Sequence, residues 1–543
     1  NVLYSSGGHF SMLAPLSAQA QLSNLNRQIV STLLDFFGGD VALVLDAVEL
    51  HGSDFCIDTN ANLSPLGECW SQLNAKLKAQ KERLLREVAV SDIDGYTRVF
   101  GPFGTGGVET FCIVCHSEPN QPDGLAKHGI VRPVRTDVLE EAERKCSLCE
   151  SFEDLSRTIA HAQYLLVRYT QYADQPADKM QGELRWHTVL QAFGIQIWLN
   201  DEEELVKRYR DGDCVFRLNQ PNFAPVERNG KVVPVIGFRF MPTFTPLESD
   251  AEGDGVHIRD MDKMAQDSEG APYYGVLRMD VDDLGRIFRI GLGVRMSLSR
   301  MMTLSRMLTM FFEGYLNRIC HHIDPTCKHL YPIYSGGDDL FIVGSWDRII
   351  KLAQEIHHCF HDYTCRNPAI TISAGTSLHR KKYPLYQSAD DAKGFLDIAK
   401  RYTHHDGHAK DAFCFWGATL DWSETMPWLQ RWHDWLVEQI RADRSANKEA
   451  SSRALLFKLM RIAELYYQRE MELERRSNWT HEQIECRLRC ERWLWRLVYY
   501  LSKEYKHLRD ELDELSRSLV EDDHIRHLRL LTRWVELSTR GGD

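Results

Sequence analysis

Tyr331-Pro-Ile-Tyr-Ser-Gly-Gly-Asp-Asp-Leu-Phe-Ile-Val-Gly344 is the stretch that decides the fold. Two apolar runs flank a Gly336-Gly337 turn carrying Asp338 and Asp339, the pattern of a β-hairpin. Glycines let backbone N–H groups approach phosphate closely, and adjacent carboxylates offer hard oxygen ligands to Mg²⁺ or Mn²⁺. Gly-Gly-Asp alone is weak evidence, because Gly38-Gly39-Asp40 also follows the helical run 16–37, where the glycines read as a helix C-cap. What distinguishes the later copy is the upstream segment Gly275-Val-Leu-Arg-Met-Asp-Val-Asp-Asp-Leu-Gly285. It reads as an apolar strand ending at Asp280, with Asp282 and Asp283 behind it. About 40 residues of helical pattern then lead to the hairpin. A β-α-β-β order sets the end of that strand beside the turn, so Asp280 is expected to face Asp338 and Asp339. Converging carboxylates are costly unless cations neutralise them. A pair of divalent ions roughly 3.5–4 Å apart is the usual apparatus of nucleotidyl transfer. Solvated acidic turns are the plain alternative, but they do not account for two such clusters in this order.

At 543 residues the chain has length for three or four domains. Its 43% hydrophobic and 26% charged residues are ordinary for a globular protein. No run of 18 apolar residues and no basic-then-apolar leader pattern occurs, so the expected location is cytoplasmic, with no membrane partner. A net charge of −12 argues against retention on nucleic acid by bulk charge, so any RNA contact must be local or run through partner subunits. Among the 14 cysteines, Cys112-Ile-Val-Cys115 and Cys146-Ser-Leu-Cys149 form two C-x-x-C knuckles about 30 residues apart. Four thiolates close a tetrahedral Zn²⁺ shell and leave no open position, so this zinc is expected to be structural.

An internal repeat organises the rest. Tyr4-Ser-Ser-Gly-Gly-His-Phe10 parallels Tyr334-Ser-Gly-Gly-Asp-Asp339. Each copy continues into a predicted helix (16–37; 346–363), strand (41–50; 369–378) and helix (70–88; 388–402). The expected fold is α+β and multidomain. It comprises a first ferredoxin-like palm (1–107, degenerate and incomplete at its start), a Cys₄ zinc module (108–152) and a mixed α/β linker domain (153–268). A second, catalytic palm (269–420) and a C-terminal helical bundle (421–543) follow. Aligned on Gly-Gly, His9 and Phe10 replace Asp338 and Asp339, so the first copy is not expected to bind metal the same way. Its missing first strand and helix make Asn1 an unexpected native start. Strand pattern is also read at 232–243, and a solvated linker at 248–255.

These segments together resemble the large palm-domain subunit of type III CRISPR effector complexes, closer to the Csm than to the Cmr branch. The resemblance rests on residues 3–15, both C-x-x-C knuckles, residues 277–285, the run Ser297-Leu-Ser-Arg-Met-Met-Thr-Leu-Ser-Arg-Met-Leu-Thr-Met-Phe-Phe-Glu-Gly-Tyr315, the Gly-Gly-Asp-Asp turn and the helical tail. It implies synthesis of cyclic oligoadenylates from ATP when guide RNA pairs with target RNA, as part of antiviral defence. It also implies one ATP on each palm, two Mg²⁺ or Mn²⁺ ions on Asp280, Asp338 and Asp339, and Asp282 as an auxiliary ligand. Gly7, Gly8, Gly336 and Gly337 would admit phosphates, Ser6 and Ser335 would contact adenine or ribose, and Lys400 and Lys410 would reach a triphosphate. The implied partners are CRISPR RNA, target RNA, backbone and small subunits, and a subunit binding the guide 5′ end. The family's HD nuclease domain is not recognised in these residues, whose His-Asp pairs at 361–362, 405–406 and 433–434 stand isolated. A diguanylate cyclase-like enzyme and a catalytically idle scaffold are the alternatives.

Overall fold

The computed structural model describes residues 2–6, 8–56, 64–90, 93–101, 112, 114–115, 131–133, 144–170, 184–249, 256–445, 451–474, 492–503 and 508–540. The chain forms two compact units. One comprises residues 1–258, 283–318 and 335–338, and the other residues 259–282, 319–334 and 339–543. None of the described helices is long and apolar enough to cross a membrane.

The second unit is built on the predicted strands. β1 (Tyr274–Val281), β2 (Leu330–Gly336), β3 (Asp339–Ser345), β4 (Ile372–His379), β5 (Ala412–Phe415) and β6 (Ala418–Asp421) form one sheet in the order β2-β3-β1-β4-β5-β6. Central β1 runs antiparallel to both β3 and β4. Its near-continuous apolar run suits a strand covered on both faces, and six of its eight residues are buried. Helices α1 (Trp346–Tyr363) and α2 (Leu385–Ala399) pack against β1 and β4. A Cβ on Gly375 would lie 2.2 Å from the Leu396 nitrogen and 2.6 Å from the Ala392 carbonyl oxygen. Only glycine lets α2 come that close.

Five described helices of eleven or more residues follow: Thr425–Ser445, Ser451–Glu474, Arg492–Lys503, Arg509–Glu521 and Leu528–Thr539. Their leucines at helical spacing, Leu429, Leu436, Leu455 and Leu459 among them, are fully buried. Trp432 and Trp534 join that core, whereas Trp495 is 75% exposed.

In the first unit the hairpin Val2–Ser6/His9–Met12 forms, and its first strand packs on helix Leu298–Thr309. Helix Gln19–Phe37 ends as expected at Gly38, whose φ of 62° lets its N–H reach the Leu34 carbonyl at 2.8 Å. The strand expected at 41–50 does not form. The Leu45 N–H is taken by Asn26 Oδ1 at 3.0 Å and the Ala47 carbonyl by Lys76 Nζ at 2.9 Å, so side chains replace a strand neighbour there. The helix predicted over 70–88 instead divides into Pro65–Lys81 and the short Arg86–Ala89. The strand pattern at 232–243 likewise splits, giving Lys231–Val233 and Gly237–Arg239. The latter edges a four-stranded sheet with Cys214–Leu218, Tyr164–Tyr169 and Ile195–Asn200. Residues 250–255 of the expected acidic linker, and most of 102–143, lie outside the described residues.

Between Leu298–Thr309 and the next helix, residues Met310–Tyr315 make a wider π-helical turn holding Glu313. Burial pushes the Glu313 carboxyl up from 4.5 to about 7, opposed by Arg239. A folded pKa above the unfolded one means the folded state holds the proton longer. Its stabilising effect is therefore full below 4.5 and is lost as pH rises to about 7. Glu313→Gln should flatten that dependence and raise stability at pH 8 by on the order of 1–2 kcal/mol, allowing for partial exposure. Melting curves at pH 5 and pH 8 check this, and an equal shift at both pH values would contradict it.

Candidate functional site

Asp280 and Asp339 stand directly opposite each other across the β1–β3 ladder. Alternation along two paired strands puts such residues on the same face, a few ångströms apart. Asp339 Oδ1 is buried without a hydrogen-bond partner among the described residues. Burial raises the Asp339 carboxyl above the usual carboxylate range, and Asp280 raises it further. A hydrogen bond from Tyr334 and the charges of Arg278 and Lys400 oppose that shift. Lys400, just past α2, forms an ion pair with Asp280 Oδ1. Two carboxylates at adjoining strand ends, one with an oxygen that accepts no hydrogen bond among the described residues, fit a divalent cation. Asp338 sits half-buried in the turn between β2 and β3, next to Asp339 in the chain.

Two candidates have other work. Asp282 is 3% exposed, and its carboxylate accepts from Thr371 Oγ1 (2.9 Å), Ser373 Oγ (2.9 Å) and the Asp411 N–H (3.1 Å). It is committed to protein donors and does not stand open as an auxiliary metal ligand. Ser335 is 5% exposed, and its hydroxyl donates to the Phe312 carbonyl at 2.6 Å, which turns it inward instead of toward a nucleotide. Lys410 is half-buried in a left-handed conformation (φ 73°). Sequence reasoning missed Thr371, Ser373, Tyr334 and Asp411. Their only signal was a hydroxyl pair spaced by two at a strand start, which is too common to single out.

The two Gly-Gly turns share a feature: Gly8 and Gly337 have φ of 73° and 74°. Their strand registers differ, however. Ser6 pairs with His9 in the first hairpin, whereas β2 ends at Gly336 and β3 starts at Asp339 in the second. Counted from the strand ends, His9 opens its strand as Asp339 does, a correspondence one residue away from the Gly-Gly alignment, which sets His9 against Asp338. His9 Nε2 lies 3.2 Å from Lys81 Nζ. Gly7 and the side chain of Ser6 lie outside the described residues.

Cys112, Cys115, Cys146 and Cys149 come together with all four sulfurs within 4.8 Å of one another. Cys146 opens helix Ser147–His161, where its sulfur accepts from the Cys149 N–H, and the Cys112 sulfur accepts from the Cys146 N–H at 3.3 Å. A hydrogen bond with Cys115 pushes the Cys146 thiol up to about 11. Crowded thiols of this kind ionise together only around a cation, so the set fits tetrahedral zinc. Replacing Cys112 and Cys146 with serine should release about one zinc per chain and lower the melting temperature. Metal analysis of the wild-type protein finding no zinc would end this assignment.

Residues 273–411 match the profile of the second palm domain of Cas10/Cmr2, and residues 1–96 match Csm1 subunit domain B. A subtype III-A protein of Methanocaldococcus jannaschii, described as a CRISPR system single-strand-specific deoxyribonuclease Cas10/Csm1, is 25% identical over 456 residues. That match takes in 78% of this chain and 53% of the relative, so the chain spans about half its length. Two solved Csm1–Csm4 cassettes, each 19% identical and covering 99% of this chain, share the fold. The cassette with one ATP has a TM-score of 0.61 over 63% of its own chain, and the cassette with cA3 has 0.59 over 62%. Two domain profiles in chain order and a relative matched over most of the chain make this protein similar to the Cas10/Csm1 proteins, and the solved cassettes share its fold.

Proposed function

We propose that this chain is the large subunit of a type III CRISPR RNA-guided effector and makes cyclic oligoadenylates from ATP in its second palm. The observation carrying this reading is the Asp280–Asp339 pair with its unpartnered buried oxygen. Solved relatives bound to ATP and to cA3 support the substrate and the product class. In this reading residues 269–420 are a ferredoxin-like palm and 1–107 a second, degenerate one, with 108–152, 153–268 and 421–543 as the zinc, linker and helical domains.

Asp280, Asp339 and the adjoining Asp338 would hold divalent cations, which would supply the chemistry of lowering a ribose hydroxyl's pKa and neutralising pyrophosphate. Lys400 supplies a positive charge beside the carboxylates, paired with Asp280, and meets the triphosphate. The positive φ at Gly337 gives the hairpin a tight turn, and backbone N–H groups of such a turn can donate to phosphate oxygens. Gly8, also at positive φ, borders a second ATP at the turn of the first hairpin. The partners are guide and target RNA and the other effector subunits.

Mass spectrometry of products from the assembled complex, given ATP and cognate target RNA, tests the reading. Ring-closed oligoadenylates are expected. Products from GTP alone would identify a guanylate cyclase instead, and no product from either nucleotide would leave the scaffold reading.

A further inference from the structure

We infer that Asp282 is a positioning residue that fixes a strained Lys410–Asp411 pair so that the loop after α2 meets the nucleotide triphosphate. The inference rests on the proposed ATP chemistry and deepens it.

Lys410 and Asp411 are consecutive non-glycine residues at φ 73° and 45°. Each left-handed residue costs roughly 1–2 kcal/mol, and such strain persists only where the surroundings overdetermine it. Here four bonds do so. The Lys410 N–H donates to the Tyr402 carbonyl at 2.8 Å, and His404 Nε2 donates to the Lys410 carbonyl at 2.7 Å. The Asp411 N–H donates to Asp282 Oδ2 at 3.1 Å, and His357 Nε2 donates to Asp411 Oδ1, also at 3.1 Å. His357 is in turn stacked on Trp422, with ring centroids 4.3 Å apart. The Asp282 N–H donates to the Thr371 carbonyl at 2.8 Å. One buried carboxylate therefore ties the end of β1, the start of β4 and the residue leading into β5 into a single block.

The segment so held has the chemistry of an anion clamp beside a cation site. Residues 400–411 carry Lys400, Arg401, Lys410 and three histidines against two aspartates. Their first residue already pairs with Asp280. Positive charge beside converging carboxylates matches a triphosphate, whose oxygens need cations on the side away from the metal. Asp282 shares this neighbourhood but spends its lone pairs on protein donors, so it acts on the nucleotide through the loop.

The test compares Asp282→Ala, Asp411→Gly and the double variant in the assembled complex, with ATP turnover, Mn²⁺ binding and melting measured on each. Asp282→Ala should raise the KM for ATP about tenfold or more while Mn²⁺ affinity stays within about twofold of wild type. Glycine takes a positive φ freely, so adding Asp411→Gly to Asp282→Ala should recover much of the lost KM. Asp282→Asn, which keeps shape and one acceptor oxygen, should lie between wild type and Asp282→Ala. Loss of Mn²⁺ binding would make Asp282 a metal ligand and overturn the inference. An unchanged KM in folded Asp282→Ala would overturn it too, as would equal falls in activity and melting with no rescue by glycine. A wild-type complex that makes nothing from ATP would instead defeat the proposed function, a separate outcome.

Discussion

Asp338→Ala combined with Asp339→Ala is expected to lower oligoadenylate synthesis by about a thousandfold or more, roughly 4 kcal/mol of transition-state stabilisation. Fold and RNA binding should survive. The expectation follows from what Asp339 does to the folded protein. Its Oδ1 is buried without a donor, burial raises its pKa, and Asp280 across the ladder repels it. A carboxylate held against those forces destabilises the fold at neutral pH, so alanine should leave the melting temperature unchanged or higher. A structural aspartate would do the opposite: Asp282, bonded to Thr371, Ser373 and Asp411, should lower melting when truncated. Turnover and melting measured together therefore separate the two kinds of aspartate. Product formation within about tenfold of wild type would sink the assignment of the metal site.

That contrast also marks how far the sequence could be read. The hairpin and the helix over 346–363 were legible because short-range signals agree there. Apolar alternation, a Gly-Gly turn and a 3.6-residue period coincide, and the helix begins and ends at the predicted residues. The pairing of Asp280 with Asp339 was legible too, since β-α-β-β order leaves few ways to place the first strand. Val41-Ala-Leu-Val-Leu has the composition of a strand, but composition supplies no neighbour, and Asn26 and Lys76 satisfy its backbone instead. Asp282 and Ser335 failed for a related reason. Closeness in sequence to Asp280 and to Gly336 suggested a share in the site, whereas the partners that fix them lie 23 to 129 residues away. The place of His9 is the same lesson at shorter range, because counting from the strand ends and counting from a repeated dipeptide differ by one residue.

Gly8→Asn is expected to cut synthesis about a hundredfold, roughly 2.7 kcal/mol, in a protein that melts like wild type and binds Mn²⁺ normally. Gly8 has φ 73°, and nothing lies within 4 Å of where a Cβ would stand. Among the described residues a Cβ there meets no atom beyond its chain neighbours, so the main objection to a side chain is conformational. Asparagine tolerates the left-handed region well, and valine does not. Gly8→Val should therefore lose both stability and activity, whereas Gly8→Asn should lose activity alone if the open space above the turn belongs to a second ATP. The first hairpin offers His9 where the second offers Asp339, so a loss cannot be assigned to a missing carboxylate at that turn. The discriminating quantity is the KM for ATP, which should rise in Gly8→Asn as one of two nucleotides is crowded out. A folded Gly8→Asn variant with wild-type KM and turnover would show that the first hairpin holds no nucleotide at this turn. The repeated positive φ would then be a requirement of the hairpin and nothing more.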